Sequence, residues 1–339
     1  MHSPFLPRPA AIIIMLVLAC PFTGWAESEL GPLQVKNQFP PHLMFLTPLP
    51  ESPKLLPQGK FQVSAGVDYS SVFVDESSRN WTALIDMEML ALRLSATYGL
   101  WDRVNLSLHG VWISMNSGFL DGFLEEYHNA FGFPNYGRER RPKNEFAYYL
   151  RKNGQDWFRP QSGGVYFADS TAEAKFALLE EKQTGFFTGS LAYTVKLPTG
   201  DYERGYGSGR ADHGLFLLTQ SRVSSFVIHF SPGVILLTDP VTLGPAVPVR
   251  NLYSAVLGIE YLLNDSWNLL AQLNYYRSPF GDTGIKQLDD DSLELAVGFT
   301  CRLTPQTGLE FAFCEDLSNS APDFNVHLRV NFTSELIEF

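Results

Sequence analysis

The sequence is short of three things, and each shortage excludes a class of protein. Cysteine occurs only three times in 339 residues. That rules out a disulfide-stapled scaffold, and no metal-ligand spacing surrounds Cys301 or Cys314. Those two sit on opposite faces of the hairpin they flank, which argues against a bond between them. Charged residues make up 18% of the chain, where soluble domains carry roughly a quarter. The 36 acidic and 25 basic side chains leave a net charge of -11, which excludes a generic nucleic-acid binder, since that needs a basic surface. Long apolar runs are missing as well. After residue 26 no stretch approaches the roughly 20 residues of a spanning helix, so any membrane crossing must be made by strands.

What is present begins with Met1–Ala26, which reads as an export signal. Arg8 precedes the apolar run Ala10–Cys20, and Gly24-Trp25-Ala26 supplies small residues for cleavage. A lipoprotein box at Val17-Leu18-Ala19-Cys20 fits less well, because Leu18 stands next to the small residue. Residues 27–59 hold seven prolines and make neither a helix nor a central strand. This leader is expected in the periplasm or tucked into a barrel mouth as a plug.

From residue 60 to residue 332 apolar and polar residues alternate, so successive side chains point to opposite faces of strands. Phe324–Phe332 is a clean case, with Phe324, Val326, Leu328, Val330 and Phe332 on one face and Asn325, His327, Arg329 and Asn331 on the other. The pattern yields twelve strands, and their connections sort by parity. Links after even strands are short turns, whereas those after odd strands are mostly longer, above all Ser117–Ala168, Pro198–Asp212, Thr238–Arg250 and Ser278–Asp290. A soluble sandwich has no reason to sort its loops this way. Outer-membrane barrels do, with short periplasmic turns, long outer loops and an even strand count. The expected fold is therefore all-β, an antiparallel up-and-down transmembrane β-barrel of about 12 strands, followed by a short tail at residues 333–339. In Trp81–Gly99 the parity of the apolar residues switches near Met89–Leu90, which predicts a β-bulge there.

If the apolar faces meet lipid, the other faces line a lumen. The lumen-lining candidates are Asp86, Glu88, Arg93, Lys196, Glu260, Glu294, Arg302, Glu310, His327 and Arg329, read either as a polar pore or as paired charges filling a closed core. Glu294, Arg302, Glu310, His327 and Arg329 lie on three neighbouring strands and predict ion-pair rungs. The long loop carries a basic cluster, Arg138, Arg140, Arg141 and Lys143, suited to lipopolysaccharide phosphates or to pairing with lumen acids as a plug. Acidic residues flank His128 in the same loop, but no nucleophile or orienting third group accompanies them. Gly205-Tyr206-Gly207-Ser208-Gly209 lacks both the lysine and the helix of a phosphate-binding loop. No catalytic residue, metal site or cofactor is expected.

The segments Ser117-Gly118-Phe119-Leu120-Asp121, His128-Asn129-Ala130-Phe131-Gly132, Gly137-Arg138-Glu139-Arg140-Arg141-Pro142 and Lys196-Leu197-Pro198-Thr199-Gly200-Asp201 resemble an uncharacterised family of Gram-negative outer-membrane proteins. The last of them is also similar to a piece of outer-membrane channels for aromatic compounds. The resemblance spans nearly all of the chain after the signal. It implies a barrel in the bacterial outer membrane and carries no activity or site residues. The expected function is a porin-like channel or binding barrel for a small molecule, with outer-membrane lipid, lipopolysaccharide and the barrel assembly machinery as partners. A lipid-modifying or surface hydrolase built into the barrel, and a structural or adhesive barrel, are the alternatives.

Overall fold

The structure is a computed structural model that describes residues 29–132, 137–318 and 320–334. The expected export signal and all but the first two residues of the expected tail lie outside the described residues. One continuous antiparallel sheet closes on itself. Its wall consists of β1 (Phe61–Ser77), β2 (Trp81–Trp101), β3 (Val104–Asn116), β7 (Ser170–Leu179), β8 (Phe187–Leu197), β9 (Asp212–Val223), β10 (Phe226–Leu236), β11 (Leu252–Leu262), β12 (Trp267–Tyr276), β13 (Ser292–Arg302), β14 (Thr307–Asp316) and β15 (Phe324–Thr333). Each strand pairs with the next, and β1 also pairs with β15 from Gln62↔Thr333 to Ser71↔Phe324. The result is a 12-strand barrel with no free edge, as spanning a bilayer demands of a sheet. Three short strands, β4 (Ala147–Lys152), β5 (Gln155–Asp156) and β6 (Tyr166–Phe167), belong to the long loop.

Alternation decides which way each side chain points. Outward positions such as Val63, Leu94, Leu215, Phe230, Leu257 and Val297 remain exposed and form an apolar belt, the surface expected to meet lipid. Inward positions are buried and mostly polar.

The predicted bulge at Met89–Leu90 is absent. Register runs unbroken through Ser70↔Met89 and Tyr69↔Leu90 on one side and through Met89↔Met115 on the other. The environment changes instead of the parity. β1 and β2 are 17 and 21 residues long, well beyond the roughly 9–11 a tilted spanning strand needs. Their hairpin therefore projects past the belt, and there the inner face (Ile85, Met87, Met89) becomes apolar and packs into a core. The outer face becomes polar at Asp86 and Glu88. Register shifts occur elsewhere, at Gly99/Trp101 and Ala177/Leu179.

The described part of the long loop carries its own secondary structure. It contains α2 (Asp121–Phe131), a 3-10 turn at Arg138–Arg140, and β4, which extends the sheet beside the projecting end of β2 from Trp81↔Lys152 to Asp86↔Ala147. It lies against the outer face of this projection. The Arg138 guanidinium sits over the Phe73 ring, 5.2 Å from its centroid, and Phe123 meets outward-facing Phe324 edge-on.

Candidate functional site in the barrel lumen

The lumen is filled by the leader. From Glu29 the chain ascends, turns back through α1 (Pro40–Leu43), and descends to enter β1 at Phe61. At the short-turn end, periplasmic in barrels of this kind, Gly59 N donates to Gly99 O and Gly99 N to Lys60 O, both 2.9 Å. The close approach there leaves no room for a side chain, since a Cβ on Gly99 would lie 2.2 Å from Pro57 O. Proline suits such a path, because a strap with few N–H groups leaves few donors to satisfy inside a lumen.

The top of this hairpin is apolar. Phe39, Met44 and Phe45 join Met87, Trp157, Phe158, Tyr206, Phe280, Ile285 and Leu288 in one buried cluster that caps the lumen beneath the outer loops. Each of these side chains contributes about 1.5–3 kcal/mol by leaving water. His42 is fully buried in the cap, with Nδ1 2.8 Å from the Tyr276 hydroxyl. Burial holds its pKa down at about 3, so the ring stays neutral.

Below the cap the leader meets charged and polar wall residues. On the ascending limb, Leu30 N and Gly31 N donate to Glu260 Oε1 at 2.9 and 3.1 Å, and Gln34 N donates to Glu310 Oε1 at 2.6 Å. On the descending limb Leu46 N donates to Asp212 Oδ2 at 3.0 Å. Glu51 pairs with Lys175 at 2.6 Å, and the Ser190 hydroxyl donates to Pro53 O at 2.5 Å. A cavity of about 280 Å³ remains near the short-turn end, lined by Gln34, Gln62, Asn105, Lys175, Arg302 and Arg329 among others. Above it a second one, of about 60 Å³, borders Lys36, Arg93, Asp68 and Glu173. The Glu51 and His109 side chains border both.

Eight of the ten lumen candidates face inward. Arg93 Nη2 donates to Asp68 Oδ2 at 3.3 Å, and Asp68 Oδ1 also meets His327 Nδ1 at 2.8 Å. Glu310 lies between His327 Nε2, at 3.4 Å, and Arg329 Nη2, at 2.9 Å, so those three make a rung with Asp68 and Arg93. Lys196 Nζ pairs with Asp169 Oδ2 at 2.5 Å and Asp212 Oδ2 at 3.4 Å. Glu260 meets His229 Nε2 at 2.9 Å. Glu294 lies buried toward the outer end of β13, while Arg302 borders the larger cavity at its other end. Neither belongs to the Glu310 rung.

Asp86 and Glu88 do not line the lumen. They face outward on the projecting part of β2, under the long loop. Glu88 Oε1 accepts from Phe119 N at 2.7 Å and Leu120 N at 2.5 Å, at the start of α2, and Glu88 Oε2 accepts from the Tyr69 hydroxyl. Asp86 accepts from Arg141 Nε at 2.9 Å. Carboxylates at a helix start satisfy N–H groups that have no partner within the helix.

The basic cluster does not enter the lumen as a plug either. Arg138, 3% exposed, is clamped by Asp121 at 2.6 Å and Asp323 at 2.5 Å. Burial opposes its charge, but the two carboxylates raise its pKa. Lys143 pairs with Glu125 at 2.7 Å, and Arg140 remains exposed beside Glu139. Asp121 and Glu125, two acids near His128, are thus engaged in ion pairs; the His128 side chain lies outside the described residues. Among the described residues no group of side chains is placed to hold a metal ion.

Sequence reading missed the wall residues that hold the leader through its backbone, above all Gln272, Asp212 and Ser190. The inward parity of Gln272 and Ser190 was the available signal. Nothing in the pattern said that a strap would meet them.

The barrel resembles solved structures. An outer membrane channel from Pseudomonas putida F1 superposes with a TM-score of 0.56 at 15% identity, covering 84% of this chain and 99% of that one. The NanC porin (TM-score 0.44, 10% identity, 82% and 100% covered) and the toluene transporter TbuX of Ralstonia pickettii (0.40, 11%, 83% and 90%) are more distant, and only the first match bears on the fold. No curated protein sequence matches the chain significantly. Residues 11–333 match the family model described as a protein of unknown function, DUF3187, and the chain belongs to that family.

Proposed function

We propose that this protein is an outer-membrane channel for small hydrophilic molecules, closed in the described state by its own leader. One observation carries the reading. The lumen is filled by a strap that is no part of the wall, and most of the wall that it covers is polar. With the strap withdrawn, the ion-paired rungs at Glu310 and Lys196 border a passage suited to polar solutes rather than hydrocarbons. The described fold, shared with a protein named as an outer membrane channel, supports the reading. Of the basic cluster in the long loop, Arg140 has the most exposed side chain and is the one placed to meet lipopolysaccharide phosphates.

Planar-bilayer recordings test this. The folded full-length protein is expected to conduct rarely, and Glu51→Gln, which weakens the leader's pairing with Lys175, is expected to conduct more often. Silence from both proteins, together with no uptake of sugars or amino acids into proteoliposomes, would refute the channel.

A further inference from the structure

The inner wall of β11–β14 grips the ascending limb in a particular way. Gln272 holds both main-chain polar groups of Leu33. Its Oε1 accepts from Leu33 N and its Nε2 donates to Leu33 O, each at 3.1 Å. Asn274 Oδ1 accepts from the same amide at 2.9 Å and fixes its orientation. Glu260 takes two successive backbone N–H groups of the limb, and Glu310 takes the one from Gln34. Gln272, Glu260 and Glu310 are each at least 99% buried. These contacts read the main chain, so beyond the glycine needed at position 31 they do not depend on which side chains the strap carries. The side chains are received separately. Leu33 and Val35, two residues apart and on one side of an extended segment, share an apolar floor of Leu270, Ala296, Ala312 and Cys314. Main-chain bonds with pockets for alternate side chains are how extended peptides are recognised.

We propose that this wall is a peptide-binding groove, that the leader occupies it as a tethered ligand, and that short extended peptides with apolar residues at alternate positions are the molecules it takes when the leader leaves. The proposal rests on one part of the channel reading, that the strap vacates the lumen, and not on conduction. The groove explains what packing alone leaves unexplained. A plug needs only shape, whereas this wall presents oriented carboxylates and an amide aligned with a peptide backbone. The limb is also seated closely, since a Cβ on Gly31 would lie 2.5 Å from Leu270 Cδ2 and 2.9 Å from Glu260 Oε2.

Cys314 is a built-in reporter. Its thiol is free, 3% exposed, and lies on the floor beneath Leu33 and Val35. Full-length protein carrying Leu33→Ser and Val35→Ser keeps the groove intact and loses both leader anchors. Labelling of Cys314 by a water-soluble maleimide, mapped by mass spectrometry, is expected to speed up about tenfold over wild type. A synthetic peptide of residues 30–37, Leu-Gly-Pro-Leu-Gln-Val-Lys-Asn, is expected to restore protection, and the same peptide with serine for its second leucine and its valine is not. If the double variant fails to fold, as read by heat-modifiable gel migration, Val35→Ala alone serves with the same peptides. Unchanged labelling in a folded variant, or faster labelling that millimolar peptide does not suppress, would overturn the groove. Peptide protection without any conductance would leave the groove standing and sink the channel, so the two readings fail separately.

Discussion

Gly31 shows what a single residue decides in this molecule. Any side chain there collides with Leu270 and with the carboxylate that holds the Leu30 and Gly31 amides. Gly31→Val is therefore expected to unseat the ascending limb and leave the barrel folded. Trypsin cleavage at Lys36, measured on the folded protein, should become several times faster, in line with a local opening rather than global unfolding. Arg138 decides something different. Its replacement by Ala leaves Asp121 and Asp323 buried without their cation, a change of about 3–5 kcal/mol for a buried pair. The temperature at which the heat-modifiable band disappears should fall accordingly, and an unchanged midpoint would show the clamp to be idle. At this scale the sequence was only partly legible. Parity correctly sends Lys196, Glu260 and Arg329 inward, because they stand within the span where one face meets lipid. The same rule misplaces Asp86 and Glu88. They lie beyond that span, where the outer face is covered by protein and tolerates a carboxylate that bonds a helix start.

At the scale of elements, β2 explains why the predicted bulge was wrong. Alternation records which face is wet, and a strand longer than the bilayer changes its surroundings partway along. Below Leu90 the outer face is apolar and exposed; above it, the inner face is apolar and packs beneath the cap. Both patterns run on one uninterrupted register. The seam between β1 and β15 is the other element with a testable outcome. Phe332 points outward, 44% exposed, opposite Val63. The bonding continues past it, with Ser334 N donating to Phe61 O at 2.8 Å and Ser334 Oγ accepting from Phe61 N at 3.1 Å. Phe332→Ala is expected to lower the yield of assembled barrel several-fold in outer-membrane fractions. Removing residues 335–339 is expected to leave the yield unchanged, whereas a deletion that starts at Thr333 also removes the last rung of the seam. Equal yields from all three proteins would mean that neither the aromatic nor the seam limits assembly.

For the whole molecule, the barrel was legible because loop lengths alternate with strand parity, a pattern imposed by the two sides of a membrane. The position of the leader was not legible. Prolines announce only that a segment is neither helix nor central strand, and its wall partners bind backbone groups that every sequence carries. The placement has a consequence for assembly. The strap runs straight into β1 and lies inside the closed wall, so the seam that joins β1 to β15 shuts with the leader tethered at its edge. Glu29 emerges at the short-turn end beside Lys54 and Arg222. A globular tag fused ahead of Glu29 should therefore be accommodated outside the wall. The same tag inserted between Pro41 and His42 would have to be enclosed, and should stall the barrel before it shuts.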